Sequence, residues 1–339
     1  MIFVNILITG VAGFIGFHVA RNLLENGHSI TGLDNLSPYY DVNLKRDRLN
    51  LLHEYADFVF FEANIAEAAE IGRLFAEIRP DCVIHLAAQA GVRYSLEHPE
   101  SYIQSNLVGF STVLEGCRRY PVKHLVYASS SSVYGLNSKV PFAEIDRVDH
   151  PASLYAATKR SNELMAHAYS HLFSIPVTGL RFFTVYGPWG RPDMAPFLFT
   201  KAILDGNPIR IFNNGDMQRD FTYVDDIVDG VCQVLTHIPE PDSGWSGVTP
   251  SPSSSSAPFR LYNIGNNQSV PLERFISVLE SSLGKKAIRE YLPLQAGDMK
   301  TTYADIDSLH SVAGFAPTVT IEEGIPRFIA WYKDYYRRR

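Results

Sequence analysis

A glycine-rich segment near the start of the chain restricts the possible folds more than any other feature. In ILITGVAGFIGFHVA, the glycines Gly10, Gly13 and Gly16 lie between an apolar run and a stretch with helical periodicity. The first glycine permits a tight turn, the second lets the backbone approach a pyrophosphate, and the third lets the helix pack close to the sheet. Free N–H groups at the start of the helix would face phosphates. The segment predicts a dinucleotide-binding βα turn, with Phe14 and Ile15 among its contacts.

Short apolar runs alternate with helical periodicity through the first half of the chain. The strands are predicted at IFVNILITG, SITGLD, CVIHLAA, HLVYAS and PVTGLRFF, and the helices at Phe14 to Asn26, Ser101 to Arg119 and Tyr155 to Phe173. This order favours an α/β fold with a Rossmann-type, doubly wound parallel sheet and helices on both faces. Because 339 residues exceed what one core usually serves, a second, smaller domain is expected.

The pattern loosens after Phe183, where glycine and proline become frequent. We expect residues 1–183 to form the dinucleotide-binding domain and residues 184–339 a smaller, mixed α/β lobe for the substrate. FTYVDDIVDGVCQVL is predicted as a helix, in a segment of about 219–238 that returns to the first domain. The stretch IPEPDSGWSGVTPSPSSSSAPF, over 238–259, is rich in Pro, Ser and Gly and predicts a flexible surface loop.

An acid follows the glycine motif at the end of the second predicted strand. Asp34 lies eighteen residues after Gly16, where a carboxylate accepts hydrogen bonds from both adenosine ribose hydroxyls and repels a 2′-phosphate. NAD is therefore favoured over NADP, with Asn35 beside the acid. The alternative is that Asp34 and Asn35 only form a turn. Asn64 and Ile65 end the third strand, where they could touch adenine.

A tyrosine and a lysine in SLYAATKRSNELM indicate acid–base chemistry. Tyr155 and Lys159 are four residues apart on a predicted helix and so share one face. An ammonium beside a phenol favours the phenolate, and a positive nicotinamide ring adds to this, so a tyrosine of ordinary pKa about 10 could act as a base near neutral pH. Alone, such a pair is common on solvated helices. Here it accompanies the glycine motif and a serine run, VYASSSSVYG, at a predicted strand end.

The chain resembles the extended short-chain dehydrogenase/reductases, the NAD-dependent sugar-nucleotide epimerases and dehydratases, over essentially its whole length. TGVAGFIG, HLAAQAGVR, SNLVG, SSVYG, YAATK, RFFTVYGP and RDFTYVDDI carry the likeness. The resemblance implies a Rossmann-type NAD domain and a Ser/Thr-Tyr-Lys catalytic trio, here Ser130, Tyr155 and Lys159. The further NAD contacts expected from it are Leu86, Ala87, Ala88, Gln89, Asn106 and Ser129, together with Tyr155 and Lys159 themselves.

Within this group the chain is most similar to the UDP-glucuronate 4-epimerases, through DNLSPYYDVNLKRDRL, RFFTVYGPWGRPDMAPFLFTKAI and GDMQRDFTYVDDIVDG. Related dehydratases carry Asp-Glu after the catalytic serine, and related decarboxylases carry a Glu at the second of these positions. This chain has Ser131 and Ser132 there. Their hydroxyls, with that of Thr184, suit the carboxylate of a uronate. The resemblance implies interconversion of UDP-glucuronate and UDP-galacturonate through a 4-keto sugar, with tightly bound NAD; the alternative is a UDP-glucose 4-epimerase.

The nucleotide end of the substrate and the oligomeric state are also expected from the resemblance. Arg191 and Arg219 could bind the diphosphate, Phe212 could stack on uracil, and Asp298 could accept from the ribose; Met194, next to Arg191, is a further candidate substrate contact. For Phe212 a core role is the alternative, and for the charged residues a surface role. The helices over 101–119 and 155–173 are expected to pair with their copies in a homodimer.

Composition excludes several other classes of protein. The formal net charge of −6, with no basic stripe, argues against nucleic-acid binding. Three scattered cysteines, Cys82, Cys117 and Cys232, have no metal-ligand spacing and favour a reducing compartment. The apolar start lacks a basic lead-in and is broken by glycine before it could span a membrane. These features predict a cytoplasmic protein that binds neither metal nor membrane. A non-catalytic NAD sensor is disfavoured because the Ser-Tyr-Lys trio is present.

Overall fold

The computed structural model describes residues 4–295 and 297–337. The first two residues of the strand predicted at IFVNILITG lie outside this range. The described strands are β1 (Asn5–Thr9), β2 (Ser29–Asp34), β3 (Phe58–Glu62), β4 (Cys82–His85), β5 (His124–Ser130), β6 (Val177–Phe182), β7 (Thr184–Tyr186), β8 (Pro208–Ile211), β9 (Gln218–Tyr223), β10 (Phe259–Ile264), β11 (Ser269–Pro271) and β12 (Ile288–Tyr291). The described α-helices are α1 (Phe14–Glu25), α2 (Val42–Leu52), α3 (Ala68–Ile78), α4 (Tyr94–Glu97), α5 (Pro99–Tyr102), α6 (Gly109–Arg119), α7 (Leu154–Phe173), α8 (Ala195–Asp205), α9 (Val224–Thr236), α10 (Leu272–Leu283), α11 (Asp307–Ala313) and α12 (Ile321–Arg337).

A large parallel sheet forms the centre of the molecule. Its seven strands in the described chain run in the order β10-β6-β5-β4-β1-β2-β3, and every neighbouring pair is parallel. The strand order reverses between β1 and β4, and ligands bind beyond the carboxyl ends of strands at such a point in open α/β sheets. The predicted α/β, Rossmann-type doubly wound sheet is therefore confirmed.

The sheet separates two apolar cores because successive side chains of a strand point to opposite faces. Along β1, Ile6 and Ile8 contribute to one core, and Leu7 contributes to the other. The first core continues into α1 and α9, while the second contains residues of α3 and α6. Both faces are covered, which explains why these strands are continuous apolar runs in the sequence.

Three segments differ from the sequence-based expectation. The helix expected from Ser101 to Arg119 is divided into the end of α5, a π-helical segment (Ile103–Val108) and α6. The helix expected from Phe221 begins at Val224, because Phe221 to Tyr223 belong to β9. The strand expected at CVIHLAA ends at His85.

The two parts of the chain are interleaved. Helix α9 packs against α1, where the Cys232 thiol donates to Asn22 Oδ1 at 3.4 Å. The strand β10, which the boundary at residue 184 assigned to the smaller lobe, instead pairs with β6 in the large sheet. Its apolar residues Leu261 and Ile264 are buried there. Loop composition on its N-terminal side concealed this strand in the sequence.

After Phe183 the described chain also forms two short sheets, β11-β9-β7 and β12-β8, which are accompanied by α8, α10 and α12. The stretch between α9 and β10 consists of turns, and Asp242 accepts a hydrogen bond from Ser254 across it at 2.8 Å. None of the helices in the described part of the chain combines the length and the apolar character that crossing a membrane requires.

Candidate functional site

The glycine motif forms the turn between β1 and α1. Gly10 has a φ of +73°, which an L side chain rarely adopts, and a Cβ on it would lie 2.7 Å from the backbone nitrogen of Ala87. A Cβ on Gly16 would overlap the carbonyl oxygen of Gly10. Helix α1 begins after Gly13, and over the described residues no side chain caps it. Its first N–H groups, around Phe14 and Ile15, are therefore available to an anion.

Asp34 lies beside this turn with its carboxylate fixed by the backbone. Its Oδ2 accepts from the N–H of Ala12 at 3.2 Å and its Oδ1 from that of Leu36 at 2.9 Å, while Lys45 Nζ lies 3.7 Å from Oδ1. The side chain of Asn35 accepts from Ser37 N at 3.1 Å and stabilises the following loop. The acid and the turn are thus brought together, as the sequence predicts.

The residues that follow β3 and β4 lie at the same edge of the sheet. The side chain of Asn64 accepts from Ala66 N at 3.1 Å, and Ile65 is buried. After β4, the N–H of Leu86 donates to the carbonyl of Thr9 at 3.1 Å, and the N–H of Ala87 donates to the Thr9 hydroxyl at 3.2 Å. The predicted cofactor-binding stretch from Leu86 through Ala88 to Gln89 therefore runs directly beside the glycine turn.

Asn106 holds this stretch in place from the π-helical segment. Its amide accepts from Gln89 N at 2.8 Å and donates to the Gln89 carbonyl and to Thr158 Oγ1, both at 3.0 Å. Asn162 donates to the Asn106 carbonyl at 2.6 Å. Short π-helical segments often occur at functional sites. Asn106 therefore links the strand end after β4 to α7, which carries the candidate catalytic residues.

Helix α7 positions Tyr155 and Lys159. Ser153 caps the helix by accepting from Ala156 N at 3.1 Å, so that Tyr155 lies in its first turn. Burial lowers the pKa of Lys159 to about 8, and its ammonium donates to the carbonyl of Ala128 on β5 at 2.8 Å. The lysine thus joins α7 to the strand that leads into the serine run.

The pKa of Tyr155 is governed by burial. Burial raises it from 10.0, while a hydrogen bond with Ser130 and the charge of Arg191 act in the opposite direction. Among the protein's own groups, desolvation of the phenolate outweighs these two effects. The lowering expected from a protonated Lys159 together with a bound nicotinamide ring stays a prediction. The contact between Ser130 and Tyr155 brings two members of the predicted trio together.

The four serines at the end of β5, Ser129 to Ser132, have different environments. Ser129 donates to Glu163 Oε1 at 2.6 Å, so its hydroxyl is turned into the buried interior and not toward a ligand. Ser130 ends the strand, and its Oγ accepts from the N–H of Ser132 at 3.2 Å, which caps the 3-10 turn Ser131–Tyr134. Ser131 and Ser132 are half-buried.

Behind Ser129 lies a buried ion pair that the sequence analysis did not identify. Arg181 on β6 donates to Glu163 on α7 with Nε at 2.8 Å and Nη2 at 3.0 Å, and both side chains are 0% exposed. Burial raises the pKa of Glu163, but Arg181 outweighs burial and the net pKa is lowered. The pair fixes α7 against β5 and β6. Its signal in the sequence, a Glu one helical turn after Lys159, is too common to be recognised.

The predicted nucleotide-binding residues cluster around an arginine that was not singled out. Arg93, the last residue of HLAAQAGVR, forms an ion pair with Asp298 at 2.9 Å, and its guanidinium lies over the ring of Phe212 at 4.5 Å. The pKa of Arg219 is lowered, mainly by burial. The carboxylate of Asp298 acts against this lowering, and the charge of Arg93 adds to it. A Cβ on Gly297 would lie 3.8 Å from that of Ser153, so this cluster borders the start of α7.

Arg191 lies near Tyr155. Its Nε donates to Asp193 Oδ1 at 3.0 Å, and the hydroxyl of Tyr39 donates to Asp193 Oδ2 at 3.0 Å. The charge of Arg191 acts on the pKa of Tyr155. This places its guanidinium near Tyr155. Met194, half-buried, directly precedes α8.

Comparison with known proteins agrees with this arrangement. The model of the NAD dependent epimerase/dehydratase family matches residues 6–245. The chain is 51% identical over 334 residues to Protein CapI of Staphylococcus aureus, with 98% of this chain and 100% of that protein covered. It is 49% identical over 336 residues to a probable UDP-glucuronate 4-epimerase of Rhizobium meliloti (strain 1021), with 98% of each covered.

Solved structures give the same result. The crystal structure of UDP-glucuronic acid 4-epimerase from Bacillus cereus, in complex with UDP-glucuronic acid and NAD, is 33% identical to this chain with a TM-score of 0.86. The match covers 98% of this chain and 100% of that one. The chain therefore belongs to the NAD-dependent epimerase/dehydratase family.

Proposed function

We propose that this protein interconverts UDP-glucuronate and UDP-galacturonate by inverting C4 of the sugar, with bound NAD. The observation that carries the proposal is that half-buried Tyr155 lies next to Ser130 and close to the cation Arg191, at the edge of the sheet where the dinucleotide turn lies. Relatives named UDP-glucuronate 4-epimerase, aligned over nearly the whole chain, support the same substrate. The product would suit the synthesis of galacturonate-containing polysaccharides.

The residues at the glycine turn fit NAD. The space beside Gly10 and Gly16 admits no side chain, and the free N–H groups of α1 suit a pyrophosphate. The buried carboxylate of Asp34 retains lone pairs for ribose hydroxyls and would repel a 2′-phosphate. When bound, NAD supplies hydride acceptance and return at C4. We propose further contacts from the predicted set: Asn35, Asn64, Ile65, Leu86, Ala87, Ala88 and Gln89, with Asn106 acting through Gln89.

Replacing Asp34 tests the choice of cofactor. We expect Asp34→Asn to weaken NAD binding about tenfold to a hundredfold, because charge-assisted hydrogen bonds contribute about 1.5–3 kcal/mol, and to reduce discrimination against NADP. Equilibrium binding of both dinucleotides measures this. Asp57→Asn, at an exposed position before β3, is the matched control. Unchanged preference between NAD and NADP in Asp34→Asn would show that the carboxylate does not read the ribose.

Within the substrate pocket the chain's own residues move one proton. Tyr155 accepts the proton of the sugar 4-hydroxyl and later returns it, while Ser130 hydrogen-bonds to the same oxygen. Lys159, when protonated, favours the phenolate form of Tyr155. The hydroxyls of Ser131, Ser132 and Thr184 are proposed to bind the uronate carboxylate, and Arg191 is proposed to bind the diphosphate. Phe212, Arg219, Asp298 and Arg93 are proposed to hold the uridine diphosphate, and Met194 to line the sugar site.

The proposed role of Thr184 is directly testable. Thr184→Val keeps the shape of the side chain and removes the hydroxyl, so the KM for UDP-glucuronate is expected to rise about tenfold, the loss of one hydrogen bond to a charged group. NAD content should stay unchanged. Steady-state kinetics and extraction of the cofactor measure the two quantities, with Thr236→Val at the exposed end of α9 as control. Equal loss of turnover and NAD binding would contradict the assignment.

One experiment tests the function itself. The purified protein is incubated with UDP-glucuronate and, separately, with UDP-glucose, and the proton at C4 is followed by NMR. We expect conversion of UDP-glucuronate to UDP-galacturonate and much slower change of UDP-glucose. Preferential conversion of UDP-glucose would favour the neutral-sugar alternative, and no change in either sugar would reject both.

The remaining proposals concern organisation. We propose that residues 1–183, with α9 and β10, form the NAD domain and that most of the rest forms the substrate lobe. A homodimer is supported by apolar side chains exposed on α7, namely Leu164, Leu172 and Phe173. Free thiols, with Cys82 and Cys117 buried, support a cytoplasmic location.

A further inference from the structure

A strained turn leads into Arg191. Between β7 and α8, Trp189 has a φ of 60°, a left-handed conformation that is uncommon for a bulky residue. Such a conformation costs of order 1–3 kcal/mol and persists only where surrounding contacts determine it. The Pro188–Gly190 turn therefore needs contacts that hold it, and the next residue is the candidate substrate cation.

Two side chains of the dinucleotide-binding half supply these contacts. On α1, Nε2 of His18 donates to the carbonyl of Pro188 at 2.9 Å. On α2, Nη2 of Arg48 donates to the carbonyl of Trp189 at 2.6 Å, with the carbonyl of Gly190 at 3.5 Å. Three consecutive carbonyl groups of the turn are thus bound from the other half of the site.

The other nitrogen of the same guanidinium reaches the glycine-rich turn. Arg48 Nη1 donates to the carbonyl of Ala12 at 2.7 Å and to the hydroxyl of Tyr40 at 2.8 Å. The N–H of Ala12 is in turn bound by Asp34 at 3.2 Å. A continuous series of hydrogen bonds therefore runs from the candidate ribose-binding acid, through the glycine turn and Arg48, to the turn that precedes Arg191.

Burying the guanidinium of Arg48 costs free energy that an apolar side chain in the same place would not cost. Arg48 is 0% exposed, and its hydrogen-bond acceptors within the described chain are neutral oxygen atoms. Its Nε has no partner among the described residues. Burying a charge without a counter-ion costs several kcal/mol, whereas an apolar residue of similar size would fill the space without that penalty. Phosphates held at the glycine turn would bring negative charge toward this guanidinium.

We propose that Arg48 and His18 are positioning residues that lock the Pro188–Gly190 turn onto the glycine-rich turn, so that NAD and the UDP-sugar stabilise each other's binding. The inference rests on the proposed function. A dinucleotide that fixes the glycine turn fixes the Ala12 carbonyl, and with it Arg48, the turn and Arg191. Because coupling between two sites is reciprocal, the UDP-sugar strengthens the retention of NAD by the same route.

The test uses the purified holoprotein with UDP, which binds without reacting. NAD remaining per chain is measured during dialysis with and without UDP, and the Kd of UDP is measured by calorimetry. In the wild type, UDP should slow the loss of NAD. In Arg48→Lys, which keeps the charge but cannot bridge two carbonyl groups, UDP should bind about 5-fold or more weakly and should no longer protect NAD.

Controls separate this inference from a structural effect and from the proposed function. Arg46→Lys changes an exposed arginine on α2 and should match the wild type. His18→Leu removes the hydrogen-bond donor to Pro188 and should partly reduce the protection of NAD by UDP. If Arg48→Lys does not fold, His18→Leu tests the coupling in its place. Folded variants in which UDP protects NAD as in the wild type would overturn the inference, as would a wild type that binds UDP without protection. A wild type that does not bind UDP would instead overturn the proposed function.

Discussion

Tyr155→Phe is expected to lower kcat for UDP-glucuronate epimerisation by about 10²–10⁴-fold, the usual contribution of a positioned acid–base group. The change removes only the hydroxyl that exchanges a proton with the sugar, so the amount of NAD bound and the affinity for UDP should remain near those of the wild type. Steady-state kinetics, cofactor extraction and calorimetry measure the three quantities.

The same helix offers a matched control for this substitution. The hydroxyl of Tyr169, on α7, donates to Glu115 at 2.8 Å, away from the serine run, and Tyr169→Phe should leave kcat within about twofold, since its contact is remote from the proton transfer. If Tyr155→Phe retained most of its activity, another group would have to be the base. If it lost NAD together with activity, the tyrosine would be needed for binding and its proposed role in proton transfer would lack support.

Glu163→Gln is expected to lower the free energy of unfolding by about 3–5 kcal/mol, because it leaves Arg181 buried without its counter-charge. Urea denaturation measures this. Glu115→Gln is the control, since its ion pair with Arg118 is partly exposed and surface pairs contribute about 0–1 kcal/mol. Replacing both partners, as Glu163→Leu with Arg181→Met, should cost less than Glu163→Gln alone. A loss in Glu163→Gln no larger than in Glu115→Gln would contradict the importance of the pair.

The same pair predicts a dependence of stability on pH. Because the net pKa of Glu163 is below its ordinary value of 4.5, the folded state binds this proton less readily than the unfolded state. The stability from the pair is therefore fully present above pH 4.5 and is lost as the pH falls through the lowered value of the folded protein. Glu163→Gln should lose stability less steeply over that acid range than the wild type.

The sequence predicted the parts of the site that depend on local patterns. The glycine turn and the Tyr155–Lys159 spacing follow from short-range rules, and the chain order of the strands brings Asp34 beside the turn. The environment of each group depends on distant residues. The raised pKa of Tyr155 results from burial, and the hydroxyl of Ser129 is taken by Glu163, which no pattern within the serine run could reveal.

The same limit applies to the fold. The Rossmann-type parallel sheet was predictable because apolar runs and helices alternate in the first half. The strand β10 was not, because a Ser/Pro-rich stretch precedes it and its partner β6 lies far back in the chain. Arg93 and Arg48 were missed for a similar reason: each acts through residues from other elements, and neither belongs to a spacing rule.

The pairing of β10 with β6 also constrains how the molecule can be assembled and divided. The chain leaves the large sheet after Phe182, which pairs with Ile264, and re-enters it at Phe259, which pairs with Val177, so the two ends of this excursion are held at opposite ends of two adjacent parallel strands. During synthesis the last position of that sheet stays vacant until the ribosome has passed Ile264. A fragment that stops earlier would expose the edge of β6, a surface that invites aggregation, so the first half should not be recoverable as an independent, well-behaved piece.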